Sequence, residues 1–147
     1  MPYSGRRPEF SRDALDGTLR AHAIRYVFLG NALGGRPDDP SCYDDEGHVD
    51  YDRCRASAVF DAAIDRVVTA YREGHPLALL CSESRPEDCH RSKLLAEMLT
   101  ERGVPVMHVD ENGDLVEHGN IAAKLRGPQM SLVAEGLGRS RRAYRAA

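Results

Sequence analysis

An α/β fold is predicted by three features: the continuous apolar run Leu77-Ala78-Leu79-Leu80-Cys81, a helix-periodic stretch on each side of it, and a second strand-like segment from Val104 to Val109. A short apolar run bounded by turn residues fits a strand buried on both faces of a parallel sheet. Strand, helix and strand in that order make a βαβ unit, whose crossover is right-handed in nearly every case. The expected architecture is a single α/β domain over residues 1–126, a three-layer-like open sheet of mainly parallel strands with flanking helices. A flexible basic tail over residues 127–147 follows it.

Each element has its own signal. Ser11 is a suitable N-cap for a helix that carries Leu15 and Leu19 one turn apart. Ile24-Arg25-Tyr26-Val27-Phe28-Leu29 reads as a strand, rich in β-branched and aromatic residues and closed by Gly30. From Gly30 to Tyr51 the chain is dense in turn residues, and so long a connection predicts a functional loop, a lid or disorder. Val59, Phe60, Ala63, Ile64, Val67 and Val68 keep a helical period, with Gly74 as the stop. Asp88 is the expected N-cap of a helix whose inner face is Leu94, Leu95, Met98 and Leu99, and which Gly103 ends. Asp110-Glu111-Asn112-Gly113-Asp114 then marks a tight turn.

Composition narrows the function classes. A net charge of −3 gives no global attraction to nucleic acid or anionic membrane, and no apolar run reaches the roughly 20 residues that span a bilayer. The first residues lack the apolar stretch of a signal peptide, so a cytoplasmic protein is expected. The four cysteines (Cys42, Cys54, Cys81 and Cys89) then read as free thiols, and no pair forms Cys-x-x-Cys.

The candidate site lies from Cys81 to Lys93, where a buried strand gives way to a helix. Ligands of open α/β sheets bind at the carboxyl ends of strands, and a helix start favours anions. Arg91 offers a planar fork for phosphate or carboxylate, and Cys89 in the first helical turn is a candidate nucleophile or redox thiol. Known templates do not fit. Arg85 follows Cys81 too soon, and Arg91 too late, for a Cys-x5-Arg phosphatase loop, and the segment has no glycine for a phosphate-binding loop. A zinc site from Cys81, Cys89 and His90 is conceivable, although adjacent Cys and His side chains diverge on a helix and no fourth ligand is visible. Structural roles compete at each position: Cys81 as a buried small hydrophobe, Arg91 as a partner of Glu87 or Glu83, and His90 as a hydrogen-bonded helix-start residue.

Cys81-Ser82-Glu83, then Pro86, then Cys89-His90-Arg91-Ser92 resembles the signature of the domain-of-unknown-function family 488 of bacteria and archaea. Arg6-Arg7-Pro8-Glu9-Phe10-Ser11, Ala14-Leu15, Ile24–Val27, Leu29, Leu33-Gly34-Gly35-Arg36-Pro37 and Tyr51 before Phe60 extend the resemblance, which runs from the start of the chain to about Val109. The resemblance implies an α/β fold and a pocket shared by the Cys-His-Arg turn and the Gly-Gly-Arg loop. Family members usually carry a further strand and helix and an Asp-x-Arg strand before the Arg-Pro-x-Phe region. The expectation for this chain is a shortened domain or a start assigned too late.

The function expected from these readings is an enzyme-like domain that binds an anionic small molecule, a nucleotide or a modified base. Cys89 and Cys81 supply the thiol chemistry, Glu83 and His90 manage protons, and Arg91, Arg36, Gly34, Gly35, Ser92 and Arg7 hold the ligand. No metal or cofactor is assigned. The first rival is a metal site at Cys81, Cys89 and a histidine such as His90 or His108. The second is a nucleic-acid or partner-binding module using Arg6, Arg7 and the cluster Arg139, Arg141, Arg142 and Arg145.

Overall fold

The computed structural model describes residues 7–127 and 138–144. The first helix forms where expected. After a single 3-10 turn at Pro8–Phe10, α1 (Arg12–Ala21) starts behind extended Ser11 and buries Leu15. The next helices take their starts from side-chain caps. Asp50 accepts the N–H groups of Asp52 and Arg53 to open α3 (Tyr51–Ala56), and Ser57 accepts that of Phe60 to open α4 (Ala58–Arg72). Along α4, Phe60, Ala63, Ile64, Val67 and Val68 are buried, as the helical period requires. Gly74 ends it in the left-handed region at φ 83°, where a side chain would be strained.

The turn-rich stretch from Gly30 to Tyr51 is built into the core, contrary to the expectation of a lid or a disordered loop. It holds a short helix, α2 (Gly30–Leu33), a 3-10 turn at Pro40–Cys42 and strand β1 (His48–Asp50). Its buried residues Leu33, Cys42, Tyr43, Val49 and Tyr51 share one apolar cluster with α4, Leu94, Leu95, Met98 and Leu99. The turn residues in this stretch bend the chain often enough to bring apolar positions inward without a continuous period.

The mainly parallel open sheet is not what forms. Among the described residues the only sheets are two antiparallel pairs. Strands β2 (Met107–Val109) and β3 (Leu115–Glu117) make a hairpin around Gly113, with Asp110 accepting the N–H groups of Asn112 and Asp114. The segments 24–29 and 77–81 are extended but join no ladder. Leu29 and Leu79 touch the core, while Ile24, Val27, Leu77 and Leu80 are exposed. The apolar run was a sound sign of extended chain. A strand, however, also needs a neighbour's N–H and C=O groups, and among the described residues none pairs with 77–81 in a ladder.

Beyond Glu101, the C-terminal end of α5 (Ala96–Glu101), the hairpin leads into α6 (His118–Leu125). Part of the stretch expected as a loose tail is also ordered. Arg139–Ala143 forms β4, antiparallel to β1, because Ser140 Oγ accepts the buried Val49 N–H at 2.9 Å and Arg139 pairs with Glu46 at 2.8 Å. No helix among the described residues is long and apolar enough to cross a membrane.

Candidate functional site

The site begins with a turn set by Pro86. Pro86–Asp88 makes one 3-10 turn, and the Cys89 N–H closes it on Pro86 O at 3.1 Å. Cys89 is left extended at φ −100°, ψ 140°, so it precedes the helix instead of lying on it. The expected cap at Asp88 is thereby corrected: that residue is inside the 3-10 turn. The helix then opens at His90 with a widened π turn, Arg91–Leu95, before α5 continues it. π turns are rare, and they are frequent at functional sites.

Because Cys89 is extended, its sulfur and the His90 ring point to one place, against the divergence a helix would impose. The His90 Nδ1 atom lies 3.7 Å from Cys81 Sγ and 3.8 Å from Cys89 Sγ, and the three atoms all fall within 4.8 Å of one another. On the far side of the ring, His90 Nε2 donates to Leu33 O at 3.1 Å. A carbonyl only accepts, so Nε2 carries the proton and Nδ1 is the atom presented to the sulfurs. Gly35 packs over the same ring, and a Cβ there would stand 3.2 Å from Nδ1. The expected meeting of the Cys-His-Arg turn with the Gly-Gly-Arg segment is therefore a direct contact. Gly34 has a backbone reason instead, since a Cβ would lie 2.2 Å from Gly30 O.

Arg91 braces the turn from within the protein. Its Nε donates to Cys89 Sγ at 3.1 Å, Nη1 to Leu79 O at 2.9 Å and Nη2 to Glu83 O at 3.1 Å. The backbone N–H of Arg91 adds a second donor to the Cys89 sulfur at 3.4 Å. Three of the donors in the fork are thus committed to the extended segment 77–83 and to a sulfur.

The two thiols differ in access and in proton affinity. Cys89 is fully buried, while Cys81 is half-buried and reaches the surface. The hydrogen bond from Cys89 lowers the Cys81 thiol below its usual range, against the opposing effect of burial and with help from the Glu83 N–H. Cys89 moves the other way, raised by that same bond to Cys81 and by burial. The two shifts run in opposite directions, so the pair gives up its first proton more readily than its second.

Other expected residues fall elsewhere. The Glu83 carboxylate pairs with Arg141 at 3.4 Å, and its contribution at the thiols comes from the backbone. Ser92 is buried, with its hydroxyl 3.5 Å from His108 Nδ1. His108 belongs to a separate buried chain: its Nε2 is 3.1 Å from His118 Nδ1, and His118 lies 3.4 Å from Glu97. Arg36 stands 4.1 Å over the Tyr144 ring, and Arg7 pairs with Glu9 at 3.4 Å. Of the basic cluster, Arg139 pairs with Glu46 and Arg141 with Asp88, while Arg6 and Arg145 lie outside the described residues.

Two features escaped the sequence reading. Buried Tyr51 has its phenol raised above the usual range, chiefly by burial. Asp44, Glu46 and His48 also gather within 4.8 Å, a grouping legible in their alternate spacing, but Arg139 already neutralises it. A shallow groove lined by Phe28, Ala32, Val59 and Arg66 shares no residue with the thiol cluster.

No curated protein and no solved structure matches this chain. The family model described as Domain of unknown function DUF488 matches residues 1–99, a span that contains Cys81, Cys89, His90 and Arg91, and the chain belongs to that family.

Proposed function

We propose that this chain is an enzyme whose active centre is the thiolate pair Cys81 and Cys89, steered by His90 and Arg91, and whose substrate is a small anionic molecule such as a nucleotide. The observation that carries the reading is the convergence of two sulfurs and one imidazole nitrogen at a half-buried place. A structural cysteine does not need such company. A thiol near neutral pH is mostly protonated and unreactive, and activation takes neighbours that favour the anion. Here half-buried Cys81 has the neighbours, and buried Cys89 is its inner partner. The roles expected for the two cysteines are therefore exchanged in this proposal: Cys81 meets the substrate. Arg91 supplies positive charge behind the sulfurs, which favours an anion in front of them.

The test is alkylation with iodoacetate and iodoacetamide at pH 6 in buffer containing a chelator, followed by mass spectrometry. An ordinary thiol with a pKa of about 8.5 is well under one per cent thiolate at that pH. Cys81 should label at pH 6 nearly as fast as at pH 8, the anionic reagent should gain on the neutral one, and Cys89 should be protected. Labelling of Cys81 that rises about tenfold per pH unit, as for a free thiol, refutes the proposal.

A further inference from the structure

The same three atoms have the spacing of a metal polyhedron. In a tetrahedral zinc site, Zn–S bonds of about 2.3 Å and Zn–N bonds of about 2.05 Å place a sulfur and a nitrogen about 3.6 Å apart and two sulfurs about 3.8 Å apart. The sulfur–nitrogen distances here are 3.7 and 3.8 Å, and the two sulfurs lie within 4.8 Å. We propose that Cys81 Sγ, Cys89 Sγ and His90 Nδ1 bind one Zn²⁺ ion and leave its fourth position open to an anionic ligand; this rests on the thiolate pair proposed above and, with the ion bound, moves the point of anion contact from Cys81 Sγ to the metal.

Three further observations support a cation at this point. First, His90 donates Nε2–H to Leu33 O, the outer contact that fixes a metal-ligating imidazole in the tautomer with a bare Nδ1. Second, the Cys89 sulfur accepts N–H bonds from the Arg91 backbone and from its guanidinium, as a ligating thiolate does when its remaining lone pairs are satisfied. Third, among the described residues no fourth His, Cys, Asp or Glu joins the group. A structural zinc site is closed by four protein ligands, whereas three with an open position is the pattern of a catalytic one. The ligand set also fits the ion: two soft thiolates and an imidazole select zinc over magnesium or calcium, which take oxygen donors.

Charge identifies the fourth ligand's class. Two thiolates neutralise Zn²⁺, and the guanidinium of Arg91 beside Cys89 leaves the centre with a net positive charge. An anion is favoured there, and half-buried Cys81 marks the side from which it enters.

The experiment is metal analysis of the full chain purified without chelator, with titration of the stripped chain by Co²⁺ as a spectroscopic stand-in. The expected result is one zinc per chain and a thiolate-to-cobalt charge-transfer band. Both should be lost in Cys81→Ser and in His90→Gln, with helical content unchanged by circular dichroism. Labelling of Cys81 should rise on stripping and fall again when zinc is returned. Absence of zinc together with absence of the cobalt band overturns the metal proposal. If Cys81 still labels rapidly at pH 6 in that case, the thiolate centre stands alone. If it labels no faster than a free thiol, both proposals fall.

Discussion

Replacing Arg91 by alanine separates a brace from a ligand-binding arginine. The side chain makes three internal hydrogen bonds, to Cys89 Sγ, Leu79 O and Glu83 O, at 3.1, 2.9 and 3.1 Å. At a net value of about 1 kcal/mol each for a half-exposed group, Arg91→Ala should cost roughly 3 kcal/mol. The loss falls on segment 77–83, which has no sheet partner among the described residues. With an m-value of about 2 to 3 kcal/mol per molar urea for a domain of this size, the urea midpoint should drop by about 1 to 1.5 M. Arg91→Lys keeps the charge but not the fork, so it should recover no more than about a third of that loss, as a single point donor replaces three. The assay is urea unfolding followed by circular dichroism. With the brace removed, buried Cys89 should also become open to alkylation. A midpoint within about 0.2 M of the unsubstituted chain for Arg91→Ala would refute the reasoning. It would mean that the fork faces solvent and that its three contacts do not form.

Burial, reinforced by the charges of His118 and Arg91, lowers His108 from 6.5 to about 4. The unfolded chain therefore takes up a proton below about pH 6.5 that the folded chain refuses, and stability should fall by up to about 3 kcal/mol between pH 6.5 and 4. The slope should flatten in His108→Gln when urea midpoints are compared across that range. Gly35→Ala leaves the backbone unstrained but places a Cβ 3.2 Å from His90 Nδ1. It should weaken Co²⁺ binding about tenfold while shifting stability by under about 1 kcal/mol, and unchanged cobalt affinity would show that the ring has room to yield. Ser57→Ala removes the cap on Phe60 N and a 2.6 Å bond to Asp39. Thermal unfolding should move down by about 3 °C for each kcal/mol lost, with about 1 to 2 kcal/mol expected from the two bonds.

What the sequence revealed depended on whether a signal was local. Helix α4 was legible because its period and its glycine stop act within one element. The Gly113 turn was legible for the same reason. The parallel sheet was not, because Leu77–Cys81 reads alike whether or not a neighbouring strand exists to receive its hydrogen bonds. Strand β4 was hidden by its composition. Arginines at 139, 141 and 142 suggest a solvated tail, yet alternate residues of a strand face opposite ways, and Ser140 alone turns inward to Val49.

The thiol cluster shows how residues picked out one by one can converge through a geometry that helical spacing does not suggest. Cys81, Cys89, His90 and Arg91 were all identifiable, but a helical Cys89 sends its sulfur about 100° around the axis from the side chain of His90. On that geometry the two side chains diverge, which counts against a shared metal. Pro86 changes the outcome. It cannot donate a hydrogen bond, and its fixed φ suits the start of a tight 3-10 turn. That turn is finished when Cys89 N–H reaches Pro86 O, and Cys89 leaves it extended. The residue next in sequence can then face the same point in space. Helical periodicity is therefore the wrong guide at a helix entrance, and Pro86, three residues before Cys89, is the sequence feature that sets the spacing of the candidate ligands.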